Sequence, residues 1–527
     1  MPTLREKLAD RTRFLVATEL VSVRGSMAGV NAIKARDFAN DLVACPDIDW
    51  ISITDNAGGN PQLAPLVLGR PILYAGKEVV IHLTCKDLNR NGLESEAWML
   101  NSEGFNNILA MTGDYPVAGN EGLARPVFDI DSIGLISLLN KMNGGLGAEA
   151  ANGKRLQLEK TQFCVGAVTT NFKLREGEVI PQYQKLAKKV ECGARFIINQ
   201  IGFDSRKISE LRCYMSAHGM TETPLIGNVY VLSPRVADLF HEGRIPGVVV
   251  SDALWDLCRM RSGSPDRGKA FFLELAAKQI AIYRGLGFRG VYLGGVHSLS
   301  AIDRILEIER SFAPDDWKQF VNEIRFSRPG EFFFYAEDPS TGLANPREET
   351  PRAKTPSKHV SLVYQISKLS HETMFVPGTA FARWGAKACA HAKDPMQGPK
   401  ALRALEHVSK VALYQCKDCG DCSLPDIAYL CPESQCAKNQ RNGPCGGTRE
   451  GRCEVDGYGD CIWLRAYERL KHDGREANLL DHVPVIQNQG LRGTSAWANL
   501  WLGRDHSSKR EPAKAETTTP IPELQKQ

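Results

Sequence analysis

Eight short apolar runs, spaced along the first 300 residues and separated by amphipathic stretches, constrain this chain most. They are 14–20 (FLVATEL), 49–54 (DWISIT), 79–84 (VVIHLT), 107–111 (NILAM), 162–168 (QFCVGAV), 194–200 (ARFIINQ), 224–230 (PLIGNVY) and 290–295 (GVYLGG). Near-continuous apolar runs of this length mark strands covered on both faces, as in a parallel sheet. Between them, Asn31–Ala44, Asp131–Met142, Pro181–Cys192, Ser205–His218 and Lys269–Gly285 carry helical periodicity. Eight strands alternating with helices predict an α/β fold of the (β/α)8 barrel type. Alternation alone does not prove closure, so a doubly wound open sheet is the competing expectation.

The 527 residues suffice for such a barrel and one or two smaller domains. We expect a barrel domain over 1–312, a Pro- and charge-rich linker and covering segment over 313–375, a cysteine-rich domain over 376–505 and a disordered tail over 506–527. The net charge of +4 is small for this length and gives no reason to expect nucleic acid or a membrane surface as partner. No run approaches the roughly 18 apolar residues of a membrane span. The N-terminus does not read as a signal peptide, so the expected location is cytoplasmic.

The chain has 15 cysteines, unevenly placed. Seven are scattered singly and read as small buried hydrophobes. The others form C-x2-C-x2-C-x8-C-x4-C-x8-C-x7-C-x7-C: Cys416, Cys419, Cys422, Cys431, Cys436, Cys445, Cys453 and Cys461. In a reducing compartment such density points to metal rather than disulfides. The opening C-x2-C-x2-C suits a [4Fe-4S] cluster, and sets of four thiolates also suit zinc. Asn442-Gly443-Pro444 and Gly446-Gly447 supply turns that let backbone wrap a bound centre.

Barrel enzymes carry their chemistry at the C-terminal ends of the strands. Here those ends deliver Thr18-Glu19, Thr54-Asp55-Asn56, His82 with Thr84, Thr112-Gly113-Asp114, Thr169-Thr170-Asn171, Asn199-Gln200, Asn228 with Tyr230, and His297. Singly, each has a bland reading as a cap, a turn or a satisfied core histidine. Together they put acids, amides and an imidazole on one rim. Two carboxylates there, Glu19 and Asp114, suit a division of labour: a general acid raised by apolar surroundings, and an ionised neighbour that tunes a bound group.

These rim residues resemble methylenetetrahydrofolate reductase, a flavin-dependent (β/α)8 barrel. The stretches that carry the likeness are ATEL, SITDNAGG, VIHLTCKD, ILAMTGDYP and KKVECGARFIINQIGFD. The resemblance implies reduction of 5,10-methylenetetrahydrofolate to 5-methyltetrahydrofolate, or the reverse. It implies Glu19 as the acid that protonates N10, Asp114 beside pterin and flavin, and Gln200 and Tyr230 on the folate. It implies Thr54, Asp55, His82, Thr112, Gly113, Asp114, Ala167, Thr169, Asn171 and Lys189 around the flavin. The chain departs from the family at Thr112, where an arginine is usual, and at Gln182 and Lys188, where an aspartate and an arginine contact the nucleotide half of FAD. These departures leave FAD versus FMN open; FAD is the flavin that the resemblance implies, with FMN as the alternative. VYVLSPRVADLF lacks the phenylalanine on which NADH folds. The cysteine-rich stretch, through CKDCGDC, CPESQCAKNQRNGPCGGTREGRCEV and CIW, resembles the domain that accompanies some bacterial members of this family. That implies a redox protein as electron donor. The rival expectations are a pterin-binding methyltransferase with thiolate-bound zinc, and a non-catalytic module that docks on a redox complex.

Overall fold

The computed structural model describes residues 2–149, 152–352 and 357–509. Eight parallel strands close into a barrel: β1 (Leu15–Leu20), β2 (Trp50–Ile53), β3 (Glu78–Thr84), β4 (Asn107–Met111), β5 (Cys164–Thr169), β6 (Phe196–Asn199), β7 (Leu225–Tyr230) and β8 (Gly290–Gly294). Each pairs with its sequence neighbours, and β8 returns to β1 with Leu15 opposite Gly290. That last ladder excludes the open sheet. The expected strands lie within two residues of those observed.

Period-2 alternation sorts the barrel interior into layers. Leu15, Ala17, Trp50, Val80, Leu109, Cys164, Phe196, Ile198, Ile226 and Tyr292 form one buried cluster, joined by Leu4 and Leu8. Leu4 and Leu8 come from α1 (Leu4–Ala9), which Thr3 and Glu6 cap reciprocally and which closes the N-terminal mouth. Two residues farther along β1, β2, β3 and β7 the same face turns polar, with Glu19, Ser52, His82 and Asn228. The lower barrel is thus a packed core and the upper barrel a polar cup.

The chain divides into two compact units. One comprises Met1–Val360 with Gln435–Leu480, the other Ser361–Ser434 with Asp481–Gln527. The cysteine-rich stretch expected as one domain over 376–505 is thereby divided: Cys416, Cys419, Cys422 and Cys431 fall in the second unit, Cys436, Cys445, Cys453 and Cys461 in the barrel unit. Of the expected linker, Tyr335–Glu337 and Ala344–Glu349 form an antiparallel pair, and Phe334 packs edge-on against Tyr183 and Tyr214 of the barrel helices.

In the second unit, Lys400–Tyr414 is a helix that leads into the first four cysteines. The expected tail begins later than 506. His506 is buried, its ring bonded to Asp421 at 2.5 Å and Asp426 at 2.9 Å, and His506–Lys509 is a short 3-10 turn. Residues 510–527 of that expectation lie outside the described residues. Among the described residues, no helix is long and apolar enough to cross a membrane.

Candidate functional site

The polar cup begins at the end of β1. Tyr292, on the adjacent β8, donates its hydroxyl to Glu19 Oε1 at 3.1 Å. Burial pushes the Glu19 carboxyl above the usual carboxylate range, and the Tyr292 bond pulls it part of the way back. Tyr230 flanks the same carboxyl: burial first, and the Glu19 charge second, push its hydroxyl up to about 12. Gly294 leaves room there, because a Cβ at that position would lie 2.9 Å from the Tyr230 ring and 3.4 Å from Glu19 Oε2.

His82, on β3, lies near-parallel to Tyr292 with ring centroids 6.5 Å apart. Burial holds its pKa down to about 4, so the ring is neutral across the physiological range. Its Nε2 is buried without a hydrogen-bond partner among the described residues. Such a group either costs stability or meets a ligand.

Along the rim, Thr54 Oγ1 accepts from the Ser22 amide at 3.0 Å. Asp55 accepts from the Thr84 hydroxyl at 2.7 Å and amide at 3.2 Å, and burial pushes its carboxyl up against those bonds. Asp114 accepts from the Gly58 amide at 2.8 Å. Gly113 sits at φ +89°, and a Cβ there would come within 2.9 Å of Thr84 Cβ, so glycine is required on both counts.

Gln200 turns its Oε1 back to the Ile201 amide at 2.9 Å and leaves Nε2 facing Gly247. Lys189 donates to the Val168 carbonyl at 2.5 Å, and burial, reinforced by Lys185, holds it down to about 7. Ala167 and Thr169 alternate with the inward-facing Cys164 and Val168 and so point toward the helical layer. Asn171 donates to the Lys207 carbonyl at 2.8 Å and is fully buried.

The structure therefore groups Glu19, Tyr230, His82 and Tyr292, and joins Asp55, Thr84, Gly113 and Asp114 through the end of β3. Ala167, Thr169 and Asn171 stand apart from the cup interior by side chain.

Lys173, Lys185, Lys438 and Gln440 on this rim went unread in the sequence. The helix α2 (Glu176–Glu191) presents Gln182, Lys185 and Lys189 on one buried face. Lys185 donates to Gln440 Oε1 at 3.3 Å and to the carbonyls of Gly443 at 3.0 Å and Pro444 at 3.1 Å. Lys188, which stands where the family carries an arginine at the nucleotide, pairs with Glu191 at 3.5 Å. Polar residues at i, i+3 and i+7 on a face that should be apolar were the available signal.

Returning to the barrel unit, the segment Gln435–Leu480 lies along this rim. Thr112 donates to Gln440 Oε1 at 3.3 Å. Lys173 donates to the carbonyls of Gly446 at 2.6 Å and Thr448 at 2.5 Å. Asn442 donates through its amide nitrogen and side chain to Asp131 at 2.9–3.1 Å. Lys438 donates to the Gly113 carbonyl at 2.8 Å and pairs with Glu454 at 2.5 Å. Burial opposes its charge, but Glu454, Cys445 and Asp114 outweigh that and hold Lys438 above the ordinary lysine range.

Both thiol sets are buried enough to oppose ionisation. In the barrel unit burial, followed by Cys445, pushes Cys436 up to about 12, and burial pushes Cys453 up to about 11. In the second unit burial pushes Cys422 up to about 12, with the Cys419 and Cys431 charges adding to it. Thiols crowded together in this way ionise when a cation joins them. Each set also has a buried lysine–glutamate pair beside it: Lys438–Glu454 in the barrel unit, and Lys410–Glu406 at 3.0 Å in the second. Among the described residues, the one trio of metal-capable groups within 4.8 Å is Asp421, Asp505 and His506. Both ring nitrogens of His506 face carboxylates, which leaves no lone pair for a metal.

Residues 7–234 match the family described as methylenetetrahydrofolate reductase. Residues 399–489 match a second family, described as methylene-tetrahydrofolate reductase C terminal. Similar solved structures include an uncharacterized protein from Clostridium thermocellum that binds two copies of 5-methyl-5,6,7,8-tetrahydrofolic acid. It has 10% identity over 58% of this chain and 97% of that one, with a TM-score of 0.41. A 2,3-dimethylmalate lyase of the PEP mutase/isocitrate lyase superfamily has 14% identity over 62% of this chain and 95% of that one, with a TM-score of 0.31. The dihydropteroate synthase of Yersinia pestis has 10% identity over 57% and 94%, with a TM-score of 0.30. Likeness of this order carries no inference about chemistry.

Proposed function

This chain belongs to the methylenetetrahydrofolate reductase family and carries that family's C-terminal domain on the same polypeptide, and from that premise we propose that it interconverts 5,10-methylenetetrahydrofolate and 5-methyltetrahydrofolate with a bound flavin. The single observation that carries the reading is the raised carboxyl of Glu19, bonded to Tyr292 beside a neutral, unpartnered His82.

The residues present fit a flavin. His82 Nε2, Thr170 Oγ1 and Gln182 Nε2 are buried polar atoms without partners among the described residues, and the Gly113 backbone offers a cradle that a Cβ would fill. Thr54, Asp55, His82, Gly113 and Lys189 would hold the isoalloxazine. The family's nucleotide contacts run along the Gln182 face of α2, where Lys185, and Lys173 in the loop before the helix, are already satisfied by carbonyls of 443–448. That favours the shorter FMN over FAD. When bound, the flavin supplies the hydride that the methylene carbon gains.

The chain's own residues do the rest. Glu19, its carboxyl raised by burial, gives its proton to N10 as the five-membered folate ring opens. Tyr292 fixes that carboxyl's orientation. Asp114, anchored by the Gly58 amide, and Gln200, with its free amide nitrogen, orient the pterin. The packed lower barrel excludes water from below.

For the thiols, the reading is one [4Fe-4S] centre on each set of four. Zinc bound by four thiolates at about 2.3 Å requires sulfurs within roughly 3.8 Å of one another. Among the described residues no three of these sulfurs come within 4.8 Å. A redox protein, rather than NADH, would then supply electrons.

The test is anaerobic purification followed by an absorption spectrum, flavin extraction and metal analysis on one sample. The reading expects a flavin band that 5-methyltetrahydrofolate bleaches. A colourless protein that still binds folate would favour methyl transfer instead.

A further inference from the structure

Lys438 lies two residues after Cys436, and its ammonium bonds the carbonyl of Gly113, the residue before Asp114. Its partner Glu454 follows Cys453 directly and accepts from the Cys445 thiol at 3.7 Å. Gln440, two residues on, gives its backbone amide to Cys436 Sγ at 3.5 Å, while its side chain accepts from Thr112 and Lys185. Its amide nitrogen also donates to the Lys438 carbonyl at 2.9 Å. Every residue from Thr112 to Asp114 is thus tied to, or faces, a side chain rooted among three of the four thiols.

The two partners of this connection are unequal. The barrel strands are fixed by ladders. Residues 436–447 contain no helix or strand, and the local backbone bond that holds their start runs from Asn439 to the Cys436 carbonyl at 3.1 Å. A loop of that kind takes its shape from ligation of its thiols, because metal binding and local folding share one free energy. Gly113, at φ +89°, is a hinge-like turn whose carbonyl is held from outside.

We propose that Lys438 is a positioning residue that makes ligation at Cys436, Cys445, Cys453 and Cys461 and the seating of folate against Asp114 one cooperative event. The inference rests on the folate reading above. Ligated thiols pin Lys438 and Glu454. Lys438 then holds the Gly113 carbonyl, and Asp114 faces the cup. An unligated loop releases Gly113, and Asp114 loses its aim, while Thr54, Asp55 and His82 at the ends of β2 and β3 keep their places and continue to hold the flavin. Electron supply is not part of the argument: the coupling is mechanical and appears in binding.

The experiment uses the full chain and 5-methyltetrahydrofolate as probe, with its Kd measured by equilibrium dialysis on protein before and after anaerobic metal removal by a chelator. Flavin and metal contents are determined alongside. Wild type should bind at least tenfold more weakly once stripped, with flavin retained. In Lys438→Met/Glu454→Gln, which removes both buried charges together and leaves neither unpaired, the metal should stay. Folate should bind weakly whether or not the metal is then removed, so that the tenfold response falls to about one. Lys438→Arg, which keeps the charge and a donor, should restore part of the response. A stripped wild type with unchanged affinity, or a double variant that binds as tightly as wild type, would overturn the inference and leave the folate reading standing. A wild type that binds no 5-methyltetrahydrofolate in either state would sink the folate reading itself.

Discussion

Tyr292 on β8 and Glu19 on β1 meet across 3.1 Å, hydroxyl to carboxylate, at the level where the barrel interior changes from apolar to polar. Burial and this bond act on the carboxyl in opposite directions. The acid must be protonated to act, so activity falls as pH rises through its folded pKa. Tyr292→Phe removes the contact that lowers that pKa. The alkaline limb of kcat/KM should therefore move to higher pH, a shift read directly from the pH profile.

Glu19→Gln keeps the shape of the carboxyl and removes its proton. Loss of a positioned general acid typically costs ~10²–10⁴ in rate. The variant should retain flavin and folate binding and lose that factor in kcat. Stopped-flow bleaching by 5-methyltetrahydrofolate measures it, and near-wild-type turnover would disprove the assignment.

Gly113→Ala should fail for two separate reasons, the left-handed φ and a Cβ 2.9 Å from that of Thr84. We expect a loss of about 1–3 kcal/mol in stability. Urea denaturation provides the number. A variant as stable as wild type would mean the turn relaxes freely.

The division of the cysteines between two units predicts separable metal sites. Cys422→Ser and Cys461→Ser should each remove about half of the bound metal, and the pair together nearly all of it. Elemental analysis of anaerobically purified variants decides this. Complete loss from either single change would mean one shared site.

His506 provides a stability test in the second unit. Burial opposes its charge, but bonds from Asp421 and Asp426 raise it from 6.5 to about 9. A group whose folded pKa is raised stabilises fully below its unfolded value and loses that contribution as pH rises through the folded one. Its contribution, on the order of 3 kcal/mol below pH 6.5, should be gone above about 9. The stability difference between wild type and His506→Gln, from urea midpoints at several pH values, should shrink accordingly. A constant difference would count against an ionised histidine.

Much of the barrel was legible because a parallel strand announces itself locally. The run around His82 is apolar on both faces, and a polar residue inside it stands out. Glu19 was legible for the same reason. Lys185 of α2 was not. Lys185 and Lys188 are one turn apart, and which of them faces the rim depends on carbonyls of Gly443 and Pro444 that lie far away in sequence. Nor does cysteine spacing say which body a thiol belongs to. Cys431 and Cys436 are five residues apart and fall in different units, because the second half is held by pairs such as Asp131 with Asn442. Residues 400–414 form an amphipathic helix on which Leu405, Val408 and Val411 stay exposed.

The bond from Lys438 to Gly113 spans 325 residues of chain. On a ribosome adding roughly 5–20 residues per second, the carbonyl of Gly113 leaves the exit tunnel some 15–60 seconds before the ammonium that will hold it. Strand closure needs nothing beyond Gly294, so the barrel can form while its upper edge is still unfinished. The last piece of the mouth is delivered late in synthesis, after the chain has already entered and left the other compact unit.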